Sequence, residues 1–144
     1  MIDYSKRITI DPVRELSPGR IFTFGSNESG RHGKGAALTA RKWGAKMGQS
    51  SGLMGRTYGI PTKGKAMNIV LTINRVGKYV DEFISFAKTR PDLTFLVTKI
   101  GCGLANGGDK NRHELIAPLF RDAVELDNVH LPYEFWKVLE KDLF

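Results

Sequence analysis

Two glycine-rich segments of this sequence have the composition of loops that bind phosphate groups. The first, residues 25–37, contains four glycines together with Asn27 and His32. The second, residues 100–108, contains four glycines and the lone cysteine, Cys102. Glycine lets the backbone approach an anion closely, and the N–H groups of such a loop favour negative charge. Each segment follows a short apolar run, so we expect both to lie at strand ends and to hold one anionic ligand between them.

Two common nucleotide-binding signatures are approached but not completed. Gly33-Lys34-Gly35 begins a dinucleotide fingerprint, but Leu38 occupies the position of its third glycine, and no acidic residue follows where a ribose partner is needed. Residues 59–66 match the P-loop pattern at every position but the last, where Ala66 replaces the Ser or Thr whose hydroxyl must bind Mg²⁺. We therefore expect neither a Rossmann dinucleotide site nor a P-loop nucleoside triphosphatase.

The segments that must position these loops alternate between strand and helix patterns. Strands are predicted at residues 7–10, 21–24, 56–60, 93–98 and 128–131, and helices at 36–47, from about 76 to 87, after 111 and at the C-terminus. Residues 48–55 are predicted to form a loop, and Pro61 is predicted to close the strand before it. This alternation predicts an α/β protein with three layers, a mixed central sheet with helices on both faces. A length of 144 residues suits a single domain, residues 1–144.

Composition argues against several other classes of protein. One cysteine rules out an internal disulfide and a multi-cysteine zinc site, and the three histidines lack metal-ligand spacing. We expect neither a bound metal nor another cofactor. No apolar run approaches the roughly 20 residues that span a bilayer, and the N-terminal residues lack an apolar signal core. We therefore expect a cytoplasmic protein without a membrane partner.

Taken in order, three segments resemble the macro domains, the α/β modules that bind ADP-ribose. They are Gly-Lys-Gly-Ala-Ala at 33–37, Tyr-Gly-Ile-Pro-Thr-Lys at 58–63 and Ile-Gly-Cys-Gly-Leu at 100–104, of which the last is the most specific. The similarity runs from about residue 8 to residue 120 and is strongest to the branch that includes the terminal ADP-ribose protein glycohydrolase. Phe-Gly-Ser-Asn at 24–27 is also similar to a divergent macro-like group common in bacteria and phages.

The resemblance implies a macro-like fold and a set of ligand contacts. It implies that Asp11 holds the adenine amino group, that Asn27 lies near the distal ribose, and that Lys63 attacks the anomeric carbon to form a covalent intermediate. The first loop would surround the distal ribose, and the second would wrap the diphosphate with backbone amides. The ligand-binding residues implied in this way are Asp11, Asn27, Gly33, Lys34, Gly35, Ala36, Ile100, Gly101, Cys102, Gly103, Leu104 and Ala105.

One position departs from the glycohydrolase pattern. The acidic residue that follows the Gly-Cys-Gly-Leu segment and transfers protons in that enzyme is Ala105 here. A lysine nucleophile without its proton-transfer partner is slow. Asp109 and His32 are candidates to replace this acidic residue. His32 could also contact a phosphate or be simply a loop residue, and we favour the loop residue. We therefore expect binding of ADP-ribose or a related NAD-derived nucleotide, and removal of ADP-ribose from a modified protein or nucleic acid stays an open hypothesis.

Net charge supports an anionic partner and supplies the alternative. The chain carries 22 basic and 15 acidic residues, a formal charge of +7. Basic residues concentrate from Arg31 to Lys65, so we expect a basic face beside the first loop. The alternative function is a nucleic-acid-binding basic module without ADP-ribose specificity. The sequence lacks a dense Arg/Lys run with interleaved aromatic residues, which favours ADP-ribose over this alternative.

Overall fold

The computed structural model describes residues 2–66, 69–102 and 112–143. The ligand contacts expected at Gly103, Leu104 and Ala105, and the candidate Asp109, lie outside the described residues. The strands are β1 (Ile8–Thr9), β2 (Arg20–Asn27), β3 (Gly52–Met54), β4 (Thr57–Lys63), β5 (Thr94–Val97) and β6 (Val129–Pro132). The helices are α1 (Gly35–Ala40), α2 (Ile73–Thr89), α3 (His113–Ile116) and α4 (Tyr133–Leu143), with 3-10 helices at Arg41–Trp43 and Ala117–Ala123.

The described strands form one mixed sheet in the order β1-β6-β5-β2-β4-β3. All neighbouring pairs are parallel except β3 and β4, which run antiparallel. The carboxyl ends of β1, β6, β5, β2 and β4 therefore meet at one edge of the sheet, called here the carboxyl edge. The predicted mixed sheet is confirmed, and both glycine-rich segments begin at this edge.

Alternate residues of the sheet face two apolar layers. Phe22 and Phe24 pack with Ala37 and Ala40 of α1, whose small side chains let that helix approach the sheet closely. Ile21 faces the opposite, larger layer. That layer consists of α2, α4 and the 3-10 helix Ala117–Ala123, which pack on one another through a continuous apolar core. Helices on both faces of the sheet confirm the predicted three-layer α/β class.

Helix α2 is the predicted amphipathic helix. Val76, Val80, Phe83 and Ala87 are fully buried against the sheet. The helix begins after Thr72, whose hydroxyl accepts a hydrogen bond from the Arg75 N–H at 3.2 Å and so satisfies one free amide of the first turn. Periodicity identified this helix because its buried face repeats at the helical spacing.

Two predictions around β4 were wrong. Residues 52–54 form β3 rather than part of a loop, and β4 continues through Pro61 to Lys63. Strand β3 pairs with β4 only from Thr57 to Gly59, so Pro61 lies beyond it and needs no N–H on that side. On the other side Ser26 pairs with Pro61 and Asn27 with Lys63, so Thr62 is the extra residue of a bulge. A proline fits this position of β4 because β3 no longer pairs with it on one side and the bulge interrupts the pairing with β2 on the other.

The helix predicted over residues 36–47 is also shorter than expected. Helix α1 ends at Ala40, and the chain continues as the 3-10 helix Arg41–Trp43. Gly44 then adopts a left-handed conformation with φ of 116° and ends the helical segment. A methyl group at Gly44 would lie 2.9 Å from the Gly55 Cα, so close packing on the β3–β4 turn adds a second reason for glycine.

A buried arginine joins the sheet to the larger layer. Arg7 is 7% exposed, and its guanidinium donates hydrogen bonds to the carbonyl oxygens of Val124, Leu126 and Val129 at 2.6–3.1 Å. It also lies over the Trp136 ring at 4.9 Å. Burial lowers the pKa of Arg7 from its ordinary value. Carbonyl groups that follow the Ala117–Ala123 helix, up to the first residue of β6, are therefore satisfied by one side chain, that of the residue before β1.

We predict that His130 makes stability depend on pH. Burial, with the neighbouring cations Arg20 and Arg7, lowers the pKa of His130 to about 4. An unfolded histidine titrates near 6.5, so between about pH 6.5 and 4 the unfolded chain binds the extra proton and stability falls as pH falls. Urea unfolding at pH 7.5, 6 and 5 should show a steeper loss for the wild type than for His130→Gln. Identical pH slopes for the two proteins would contradict this assignment.

Candidate functional site

The start of the second glycine-rich segment packs on the end of β2. A methyl group at Gly25 would lie 3.5 Å from both the Gly101 nitrogen and the Ile100 Cα, and 3.4 Å from the Thr62 hydroxyl. Gly101 has φ of +69°, and a methyl group there would lie 3.2 Å from Ile116. Glycines at both positions let the two backbones approach within van der Waals contact. Strand β2 runs to Asn27, past the predicted break at Gly25, so this contact joins the end of β2 to the start of the second segment.

Ile100 and Cys102 take different positions from Gly101. Ile100 is 2% exposed and belongs to the apolar core of the larger layer. Cys102 is half-buried, and its thiol donates to the Ile100 carbonyl oxygen at 3.3 Å. The backbone N–H groups of Ile100 and Cys102 donate to the Thr98 and Lys99 carbonyl oxygens at 2.7 and 3.3 Å, so both amides already have partners within the protein.

Lys63 lies beside Asn27 at the carboxyl edge. The two residues are paired across β2 and β4, so their side chains leave the same face of the sheet. Lys63 is half-buried, and within the described chain its ammonium group forms no ion pair. A cation without a carboxylate partner at the end of a buried strand is available to an anion or to an electrophilic carbon.

The side chain of Asn27 shapes the first loop. It is 4% exposed, its Nδ2 donates to the Arg31 carbonyl oxygen at 2.6 Å, and its Oδ1 accepts from Ser29 Oγ at 2.6 Å and Arg31 N at 3.0 Å. The Gly30 N–H donates to the Asn27 carbonyl oxygen at 3.0 Å. Such local bonds are characteristic of asparagine in tight turns. Asn27 therefore holds residues 28–31 in place next to Lys63.

His32 is a buried anchor of the same loop. Its side chain is fully buried, and its Nε2 lies 2.9 Å from the Lys46 carbonyl oxygen and 3.0 Å from the Gln49 carbonyl oxygen. Since both neighbours only accept, Nε2 carries the proton, and the imidazole is held as a donor. The ring also meets the edge of Phe24 at 5.4 Å between centroids. These contacts support the favoured interpretation of His32 as a loop residue, since the fully buried ring binds the turn at 46–49.

Gly30 and Gly48 bring the loop and the turn at 46–49 into direct contact. The Gly48 N–H donates to the Gly30 carbonyl oxygen at 3.0 Å. Gly30 has φ of +71°, and a methyl group there would lie 2.6 Å from the Gly48 carbonyl carbon. Only glycine meets both requirements at this position.

The part of the first segment that follows His32 is open to solvent. Gly33, Lys34, Gly35 and Ala36 are all exposed. A methyl group at Gly33 or Gly35 would meet nothing within 4 Å, although Gly35 has φ of +57°. The first-turn amides of α1 have no partner inside the helix. This stretch is thus an accessible backbone surface carried on the anchored loop.

Asp11 is not brought to the other candidate residues. It is exposed and follows β1, which is separated from β2 by β6 and β5. Three strand spacings place the end of β1 roughly 14 Å from the end of β2 along the carboxyl edge. Asp11 and Lys63 could contact one ligand only if that ligand extends across the intervening strands.

Glu28 was not singled out by the sequence, yet it is the best-connected carboxylate near the site. It accepts hydrogen bonds from Tyr79 Oη at 2.5 Å and from Arg75 Nε and Nη2 at 2.8 and 2.6 Å. The Tyr79 hydroxyl and the Arg75 guanidinium lower the pKa of Glu28 despite its burial. Its contacts with Arg75 and Tyr79 tie α2 to the end of β2. Its backbone N–H also donates to the Lys63 carbonyl oxygen at 2.9 Å, so Glu28 directly adjoins Lys63.

The large hydrophobic residues that the described chain exposes are scattered over several connections and helices. They are Ile10, Leu38, Met47, Ile69, Leu115 and Tyr133. Apolar side chains exposed singly are normal on a protein surface and do not mark a binding site.

Comparisons with protein-family models, curated proteins and solved structures give no match for this chain. Within the described residues no group of three or more His, Cys, Asp or Glu side chains could hold a metal ion. No helix in that part of the chain is long and apolar enough to cross a membrane. The geometry of the carboxyl edge therefore provides the basis for inferring a function.

We predict that Gly30→Ala loosens the first loop while Gly33→Ala does not. The first substitution meets backbone at 2.6 Å and a left-handed φ, whereas the second meets nothing within 4 Å. Strain and clash of this kind cost about 2 to 4 kcal/mol. Chemical denaturation of both variants checks the difference. An equal, small effect of the two substitutions would show that the Gly30–Gly48 contact does not hold the loop.

Proposed function

We propose that this protein binds ADP-ribose or a related NAD-derived nucleotide at the carboxyl edge, between the two glycine-rich segments. The observation that carries the proposal is the meeting of these segments at the ends of β2 and β4, with Lys63 beside the first of them. The resemblance of residues 33–37, 58–63 and 100–104 to macro domains names the ligand class. In an open α/β sheet, the carboxyl ends of the strands are where ligands bind.

The chemistry of the edge suits a nucleoside diphosphate without a metal. Exposed backbone at Gly33 to Ala36 offers N–H donors to phosphate oxygens. The further donors proposed at Gly103, Leu104 and Ala105 lie outside the described residues. Lys63 adds a positive charge next to this backbone, and the surrounding basic residues raise the rate of association with an anion. Asp11, farther along the same edge, is the proposed contact for the adenine amino group of an extended ligand.

Removal of ADP-ribose from a modified protein or nucleic acid is a second candidate, favoured by Lys63, whose ammonium forms no ion pair with any residue that the structure describes. In this reaction the Lys63 nitrogen, after losing a proton, would form a bond to the anomeric carbon while the bond to the modified group breaks. Water would then release ADP-ribose and restore the lysine. Both steps need a proton acceptor. His32 is buried and engaged through Nε2, and the Glu28 carboxylate is engaged by Tyr79 and Arg75, so binding is the better-supported function.

Calorimetric titration tests the binding proposal. ADP-ribose should bind at micromolar concentrations and AMP much more weakly, because AMP lacks the second phosphate and the distal ribose. Lys63→Gln should weaken ADP-ribose binding about tenfold, the loss of one charge-assisted contact. Lys65→Gln is the matched control, since it removes the same charge from an exposed residue two positions away. Absence of binding to ADP-ribose at high micromolar concentrations would refute the proposal.

The hydrolytic candidate has its own test. Release of ADP-ribose from a modified protein or oligonucleotide should be slow and should disappear in Lys63→Ala. If release is undetectable in the wild type, or persists unchanged in Lys63→Ala, the lysine mechanism is excluded whatever the outcome of the calorimetry.

A further inference from the structure

Charge is strongly segregated along this chain. Residues 29–80 contain ten of the 22 basic residues and none of the 15 acidic ones. The remaining sequence therefore holds 12 basic and 15 acidic residues, a slight negative excess. A surface that serves only solubility mixes both signs, because like charges repel and destabilise the compact state. The absence of acidic residues from 29–80 therefore indicates a partner that supplies negative charge.

The fold collects five of these residues on one surface. We define the basic patch as Arg31, Lys34, Arg41, Lys42 and Lys46, all of which are exposed. Arg41 and Lys42 continue from α1 into the 3-10 helix. Contacts of His32 and of Gly30 with the turn at 46–49 bring Lys46 beside the loop that carries Arg31 and Lys34.

The patch is not neutralised by the described chain. The five ion pairs found there join Arg75 to Glu28, Arg90 to Asp92, Lys99 to Glu134, Arg121 to Asp142 and Lys137 to Glu140. None of them involves the basic patch. Lys42 instead lies over the Trp43 ring at 4.4 Å, an interaction that leaves its charge intact. The patch therefore presents several uncompensated cations to solvent.

We propose that the basic patch binds the phosphate backbone of a nucleic acid. Phosphates spaced evenly along a strand match several exposed cations that have no directional partner of their own. A membrane surface fits less well, because an interfacial helix exposes a wide apolar face, and α1 buries Ala37 and Ala40 against the sheet. The patch borders the open backbone at Gly33 to Ala36, so a bound strand passes beside the carboxyl edge. This binding does not require ADP-ribose.

Fluorescence anisotropy with a labelled 20-nucleotide single strand and with the matching duplex tests the proposal over 50 to 300 mM salt. With five phosphate contacts the slope of log K against log salt should approach about −3.5 for the single strand. Arg41→Gln/Lys46→Gln should reduce the steepness of that slope by about 1.4 and weaken binding roughly tenfold at low salt. The matched control is Lys88→Gln/Lys141→Gln, which removes two exposed charges from α2 and α4 in the opposite layer.

The outcomes separate clearly. Binding that falls in the patch variant and stays within twofold of the wild type in the control supports the proposal. No binding to either oligonucleotide at 50 mM salt overturns it, as does an equal loss in both double variants, which would reflect net charge alone. Tighter binding to poly-glutamate or to anionic lipid vesicles than to the oligonucleotides also overturns it. The affinity for ADP-ribose measured by calorimetry should be unchanged in Arg41→Gln/Lys46→Gln. Failure of the nucleic-acid proposal can therefore be distinguished from failure of the ADP-ribose proposal.

Discussion

The pairing of β2 with β4 is the constraint on which the candidate site depends. These strands lie side by side, with β4 between β2 and the edge strand β3, and the bulge at Thr62 shifts their register by one residue. The bulge lets Lys63 stand opposite Asn27 while Thr62 faces Gly25 and Gly101. One extra residue thus brings Lys63 beside Asn27 and Thr62 beside the start of the second glycine-rich segment. Without this pairing the two glycine-rich segments would not begin at matching positions along the strands.

Much of this arrangement could be predicted from local patterns. The α2 helix, the central strands and the positions of both glycine-rich segments follow from hydrophobic periodicity and from glycines after apolar runs. The joining of the segments at one edge follows from the rule that parallel strands end together. These features are local or topological, so a single sequence carries them.

The features that the sequence did not reveal depend on distant partners. Pro61 sits within β4 because β3 ends before it, and a short strand of glycine, leucine and methionine has little signal of its own. Glu28 and His32 have ordinary neighbours in sequence. Their roles become visible only when Arg75 and Tyr79, 47 and 51 residues away, and the turn at 46–49 are placed beside them. Local composition cannot specify such pairings.

The two sides of the candidate site belong to different layers of the protein. The loop that carries Gly33 to Ala36 is anchored to the α1 layer, whereas Gly101 rests against Ile116 of the α2 layer. The two glycine-rich segments are therefore supported from opposite faces of the sheet. A change in the packing of one layer would move the segment that this layer supports and leave the other segment in place. The distance between the two segments, and with it the size of the ligand accepted, can therefore change while the strands keep their positions.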